Sequence, residues 1–481
     1  MTESEKRVPL LNMNLYLLLI MSSIIYFQFS WLEGFFQDGY LYAALGKNAA
    51  EKGRWLVPHL TPAWYSEFND HTNFTFILEG LFFKIFGASY TTARIFAGLF
   101  SIFTGLSVYI FLGTIKKKNI AYLAFLFFIL IPPLMKKSRF PNIDLPLMLF
   151  FTGAMFSYWK AYVENKFSYW ILCGFFFGLC TLTKGPMGAL VPIVIFFHLL
   201  SEKSIGRLRS KWPWLGLFLG FLIFMIWPVS LHLGDKFYIF ERWFEFTILG
   251  SIMKSRGVSE PWYTYIVFLL KNVNVIFLLC LVGIYKNLKS EKDSFISFCS
   301  VILVTVLGLL SLQGLKYSNY LIPIYPFLAI LAAFGIVSLW KNAQDRLMNV
   351  FQYLIPLAAV ILLVFPLTSK TRRDPEITKL KEILKLSSRN VSKWIVYNNS
   401  YPFWSLASKN GFEDGSVTIT LEKNDDVENC EECIVLIKDE DSSGLSKKEE
   451  FSSYYLEAFY LKKKRVRVYL PKKRKIGIIS I

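Results

Sequence analysis

Hydrophobic positions in this chain come in long unbroken runs separated by short stretches rich in charge, glycine or proline. The alternation of a half-buried strand is absent until about residue 370. Runs of about 18 or more apolar residues predict membrane-crossing helices, and they lie near 12–31, 91–114, 119–135, 143–163, 167–182, 185–200, 213–232, 262–285, 294–312, 320–340 and 350–369. The run 73–87 is short and amphipathic, which fits either a further span or a helix lying in the interface. Past residue 370, WIVYNN, SVTITL and CIVLIKD alternate and read as strands. The pattern thus predicts a polytopic α-helical membrane protein of about 11–13 transmembrane helices. Its membrane domain is 1–369, with a large first loop at 32–90, and a small soluble α/β domain follows at 370–481.

Composition agrees. Of 481 residues, 54% are hydrophobic, 17% aromatic and only 18% charged, which excludes disordered, collagenous and disulfide-scaffold classes. The net charge of +18 would suggest nucleic acid in a soluble domain. Here the basic loops match anionic membrane lipids instead, and no nucleic-acid partner is expected. Cys173, Cys180, Cys280 and Cys299 lie in apolar runs, where a free thiol behaves as a small hydrophobe. Cys430 and Cys433 form a lone CxxC with no second pair to complete a zinc site. The first run has no small-residue cleavage site and is expected to stay as a helix, with Lys6 and Arg7 favouring a cytoplasmic N-terminus.

With the N-terminus inside, the inner connections carry more lysine and arginine than the outer ones, as cytoplasmic loops do. The same arrangement puts the unusual polar residues at span ends together on the outer side: Asp38, Asp70, His71, Asp144, Lys184, Glu245, Lys316 and Tyr320. An ionisable group beside apolar neighbours at a membrane boundary is costly, so each is either a functional group or an interfacial anchor. Asp38 and Asp144 could take a proton, His71 beside Asp70 could bind an anion as a cation, and Lys316 with Tyr320 could hold phosphate oxygens. Lys184 stands at a tight reversal forced by Gly185 and Pro186. Asp439 and Asp441 form a DxD in an acidic run that reads as a solvated loop, and the basic close YLKKKRVRVYLPKKRK reads as a solvated or headgroup-facing edge. No GxxxxGK[ST], HExxH or GxSxG occurs.

In order, QDGYLYAALGKNAAEKGRWLVPHL, FNDHTNF, SRFPNIDLPLMLF, LTKGPMGALVP, ERWFEF to PWYTY, and GLKYSNYLIPIYPFLAI resemble the membrane-embedded GT-C glycosyltransferases that use polyprenyl-phosphate sugars. In particular they resemble the bacterial branch that includes the lipid A aminoarabinose transferase and relatives of protein O-mannosyltransferases. The resemblance covers about residues 10–370 and implies catalytic carboxylates at Asp38 and Asp144. It also implies donor-phosphate contacts at His71, after the acid Asp70, and at Tyr320; Lys316 and Lys184 suit the same departing phosphate by charge, and Tyr42 and Glu245 are supporting residues. Gly39, Leu41, Thr72, Asn73 and Phe246 depart from the family pattern. Phe246 replaces a histidine that can help bind metal, so a divalent cation stays only a possible cofactor. The implied activity is inverting transfer of a monosaccharide from a polyprenyl (undecaprenyl) phosphate to an envelope lipid, glycan or protein at the outer face of a bacterial inner membrane. A lipid flippase or transporter, and a noncatalytic assembly protein, are the alternatives.

Overall fold

Fifteen helices and five strands are described in the computed structural model, over residues 3–35, 37–60, 66–250, 260–314 and 316–340, isolated positions between 350 and 361, Phe412, and strand residues 393–397, 418–422, 433–438, 454–461 and 464–471. The expected span 350–369, the DxD and Cys430 lie largely or wholly outside these residues. The chain divides into two units. The first comprises 1–30, 69–75 and 94–369, and the second 31–68, 76–93 and 370–481.

The first unit is helical. It contains α1 (Glu3–Phe27), most of α4 (Tyr90–Thr114), α5 (Lys118–Ile129), α6 (Pro132–Lys137), α7 (Asp144–Glu164), α8 (Phe167–Lys184), α9 (Leu190–Ser201), α10 (Lys211–Leu233) and α11 (Phe237–Phe244). After these come α12 (Thr264–Asn272), α13 (Asn274–Lys286), α14 (Ser294–Leu312) and α15 (Tyr325–Leu339). Among the described residues five stretches are long and apolar enough to cross a membrane, six if the bent pair α12 and α13 counts as one. The protein is a multi-pass membrane protein.

Helices in lipid gain little from hydrophobic exclusion, so they associate where small residues let backbones approach. Gly174 and Gly178 on α8 face Gly216 and Gly220 on α10, both pairs at four-residue spacing. A Cβ on Gly174 would overlap the Gly216 carbonyl oxygen, and one on Gly178 would lie 2.9 Å from the Gly220 carbonyl. Gly283 on α13 and Gly335 on α15 repeat the device against the backbone around Leu331 and Leu279. Larger rings fill the centre. Phe111 of α4 stacks on Phe156 of α7 at 4.0 Å, and Phe327 of the almost wholly buried α15 meets Phe151 and Phe156 at 6.0 Å each. At one helix end Asp293 caps α14 by accepting from Phe295 and Ile296 N–H groups while it pairs with Lys117.

Two expected spans differ in form. The run 119–135 breaks after Ile129, because Pro132 and Pro133 start a new helix and cannot continue the old ladder. The run 262–285 is two helices meeting at a bend of 115°, where Asn274 adopts φ +45°. The stretch Phe167–Ser201 does form two legs, since Trp170 of α8 and Ile195 of α9 line one cavity.

The second unit contains α2 (Gln37–Lys52), most of α3 (Phe74–Phe86) and a five-stranded sheet. Asn48 on α2 donates to the carbonyls of His59 (2.7 Å) and Leu60 (2.8 Å), which fastens the GRWLVP turn to the helix. Phe35, Tyr40, Tyr90 and Phe412 form a ring cluster with centroids 4.8–6.3 Å apart, and Lys47 donates to the Phe412 carbonyl at 2.8 Å. The strands are β1 (Lys393–Tyr397), β2 (Thr418–Glu422), β3 (Cys433–Lys438), β4 (Tyr454–Leu461) and β5 (Lys464–Pro471), in the order β2-β1-β3-β5-β4. β1 is parallel to β2 and β3, and β5 is antiparallel to β3 and β4. The helices expected between them lie outside the described residues.

Burial of the His59 ring, reinforced by Lys52 and Arg54, pushes its pKa down to about 4. Because the folded pKa lies below the unfolded value of about 6.5, this histidine costs nothing above pH 6.5 and destabilises as pH falls from there towards 4. His59→Asn should therefore flatten the acid side of the melting-temperature profile, read by tryptophan fluorescence between about pH 7 and pH 4. Asn48 grips the backbone carbonyl of residue 59, so the turn survives the substitution.

Candidate functional site

The segment before α7 aims Asp144 inward. Asn142 Oδ1 accepts from the Asp144 and Leu145 N–H groups, both at 3.1 Å, and its Nδ2 donates to the carbonyls of Lys137 and Phe140, both at 2.9 Å. One side chain thus closes the loop and caps the helix. Asp144 in the first turn of α7 meets the positive end of the helix dipole, and only 3% of it is exposed.

Lys184, the last residue of α8, pairs with Asp144 Oδ1 and holds its Nζ 4.8 Å from the centre of the Tyr320 ring. A cation at a helix C-terminus is favoured by the dipole, and both charges are largely withdrawn from water. Gly185 follows at φ +47°, in the left-handed region, and a Cβ there would strike the indole of Trp243. Two separate demands therefore select glycine next to the lysine. Tyr325, fully buried at the start of α15, lies within electrostatic reach of Asp144.

Thr72 Oγ1 donates to the Leu182 carbonyl in the last turn of α8. That bond brings the FNDHTNF segment, with half-buried Asp70 and His71, to the same end of α8. Asp144, Lys184 and Tyr320 are thus brought together, with Asp70 and His71 tethered beside them.

Lys316 is placed differently. Its ammonium donates to the Glu260 carbonyl at 2.8 Å and to the Gln313 carbonyl, and only 7% of the residue is exposed. Glu260 N–H donates to the Gly314 carbonyl at 3.0 Å, and Tyr265 to the Tyr317 carbonyl at 3.3 Å, so Lys316 locks two loops together. Glu245 is exposed two residues beyond Trp243. In the second unit Asp38 stands half-buried in the first turn of α2, and the Tyr42 ring lies 5.6 Å from Phe76.

Among the described residues no three His, Cys, Asp or Glu side chains converge as a metal cage, and the carboxylate of Asp144 is already engaged by Lys184. Asn142, Thr72 and Trp243 were not singled out from sequence. Thr72 was visible only as a departure from proline, and Asn142 stood two residues ahead of an acid that opens an apolar run, a common capping position.

A family model for dolichyl-phosphate-mannose-protein mannosyltransferase matches residues 70–228, which hold Asp70, His71, Asp144 and Lys184. An uncharacterized protein of Aquifex aeolicus is 27% identical over 67% of this chain and 63% of its own length. The undecaprenyl phosphate-alpha-4-amino-4-deoxy-L-arabinose arabinosyl transferase of Shewanella sediminis is 21% identical over 64% of this chain and 57% of its own length. The chain thus matches less than two thirds of the length of these curated relatives. The crystal structure of ArnT from Cupriavidus metallidurans bound to undecaprenyl phosphate superposes with a TM-score of 0.69, covering 97% of this chain and 98% of that one at 12% identity. The chain has the fold of the membrane-embedded GT-C glycosyltransferases.

Proposed function

We propose that this protein transfers a monosaccharide from a polyprenyl phosphate of the undecaprenyl type to an envelope lipid, glycan or protein, at the outer face of a bacterial inner membrane. The observation that carries the reading is the half-buried Lys184 at the end of α8, paired with the buried Asp144 and set over Tyr320. A site withdrawn from water with a cation held by a counter-carboxylate suits a leaving group that gains charge as its bond breaks.

In the proposed step an acceptor oxygen attacks the anomeric carbon from the face opposite the phosphate. The carbon–oxygen bond to phosphate breaks, the lipid phosphate departs with the electron pair, and the acceptor proton passes to a carboxylate. Lys184 and Tyr320 face the departing phosphate, with His71 as a further donor. Asp144 sets the position of the Lys184 ammonium. Lys316, whose ammonium has three hydrogens and two carbonyl partners, supports the phosphate side chiefly by fixing the loop that carries Tyr320. Asp38 is assigned the acceptor proton on the sequence resemblance, with Tyr42, Asp70 and Glu245 as supporting groups. Residues 370–481 are assigned to an extracytoplasmic soluble domain.

Mass spectrometry of lipids retained by gently purified wild type and Asp38→Asn tests the reading. A polyprenyl phosphate bearing one sugar should accumulate on the variant, which binds donor without turning it over, and the sugar's mass would name its class. Full transfer by Asp38→Asn removes that residue from the mechanism. Recovery of bulk phospholipid alone, after feeding with candidate donors, favours a flippase or an assembly protein.

A further inference from the structure

Away from the Lys184 cluster, the first unit holds a cavity of about 230 Å³ between α8, α9 and α10. Its walls are apolar and aromatic, with Trp170, Cys173, Phe177, Ile195, Phe196 and Leu217 among them. Gly174 and Gly216 also line it: where the two helices touch through glycine backbones, no side chain is present to fill the adjoining space. Its α8 lining residues, Trp170 to Phe177, precede Lys184 by seven to fourteen positions, a rise of roughly 10–20 Å, so the cavity lies along the part of α8 away from the Lys184 cluster.

The connection from α9 to α10 forms the rim. Trp214 Nε1 donates to the Leu208 carbonyl at 2.7 Å, and both residues lie on the cavity wall, which fixes the connection beside the opening. Residues 202–211 contain Lys203, Arg207, Arg209 and Lys211 against a single acid, Glu202. Lys203, Arg209 and Lys211 are exposed, while Arg207 is held over the Tyr162 ring at 4.1 Å and donates to the Tyr162 carbonyl. The nearby acid on α7, Glu164, is bound by Lys160 and Lys166 at 2.9 Å each and is not available to neutralise the rim.

We propose that this cavity takes part of one acyl chain of an anionic phospholipid, whose headgroup sits against Arg209 and Lys211. An apolar slot opening under a cationic rim is complementary to that amphiphile at both ends. The cavity holds a fraction of one chain, which suits a fatty acyl tail better than a long polyisoprenoid, and its basic rim at 203–211 lies at the end of α9 away from the candidate reaction cluster. This site does not depend on the proposed glycosyl transfer.

The test uses the full chain in nanodiscs of phosphatidylcholine containing a phosphatidylglycerol with a photoactivatable diazirine on its acyl chain. Adducts are expected on peptides covering 170–177, 191–196 and 213–217. Leu217→Trp, a substitution at a half-buried wall position, should remove them by filling the slot. Arg209→Glu with Lys211→Glu, both at exposed positions that folding tolerates, should lower labelling about thirtyfold, since each basic residue near an anionic lipid contributes about 1 kcal/mol. A matching phosphatidylcholine probe should label weakly in all variants. Equal labelling by the phosphatidylcholine probe, or labelling spread along the exposed face of α10 and untouched by Leu217→Trp, would overturn the proposal. Displacement of the label by unlabelled polyprenyl phosphate but not by phosphatidylglycerol would overturn it as well.

Discussion

Lys184→Met should remove turnover and also lower stability by about 3–5 kcal/mol, because it strands the Asp144 carboxylate in a site with almost no water. The second effect separates the geometry from the proposed chemistry. If the ion pair exists, Asp144→Asn with Lys184→Met should recover much of the stability lost by Lys184→Met alone, since two neutral groups of similar shape leave no buried charge. Turnover should not return, because the cation facing the phosphate is gone; loss of one such group typically costs about 10²–10³ in rate. Thermal unfolding in detergent and a transfer assay read the two effects independently. Additive stability losses in the double variant would mean that the two side chains do not meet.

Gly174→Leu should give little or no folded protein. At this position even a methyl group would collide with the Gly216 carbonyl, and backbone on both helices leaves nothing soft to yield. Overpacking of a core costs about 1–3 kcal/mol when side chains can shift, and more when they cannot. The control is Gly113→Ala, where nothing lies within 4 Å of the added carbon. There the better helix propensity of alanine should leave stability unchanged or raise it by up to about 1 kcal/mol. Yield of monodisperse protein and its melting temperature decide the comparison. Similar behaviour of the two variants would refute a backbone contact between α8 and α10.

The sequence made the membrane spans legible because long apolar runs leave few other structures possible. It also marked Asp144, Lys184 and Tyr320 as out of place at span ends. It could not pair them: residues 144 and 184 are forty positions apart, and only the α7 and α8 packing brings one end of each together. Lys316 shows the opposite limit. Its partners are the carbonyls of Glu260 and Gln313, and backbone acceptors leave no trace in residue identity. The four-residue glycine spacing on α8 and α10 is visible in the chain, yet spacing alone does not say which helix faces which. The break at Val273 is signalled by KNVN inside an apolar run, but the length of that run by itself predicts one continuous span.

That break acts as a depth gauge. Hydrocarbon does not tolerate interrupted backbone ladders unless protein or water satisfies them, and Lys271, Asn272 and Asn274 are all exposed at the 115° bend. Such an exposed elbow suits headgroup level, and if α13 runs along the membrane normal, the 115° bend lays α12 closer to the membrane plane than to that normal. Trp262 and Tyr263, exposed just ahead of α12, are the residue types that settle at that depth. Glu260 begins the same stretch and holds Lys316 through its carbonyl. The loop bearing Tyr320 is thereby tied to that elbow, so a change in lipid thickness that shifts the elbow would shift the ring that Lys184 faces.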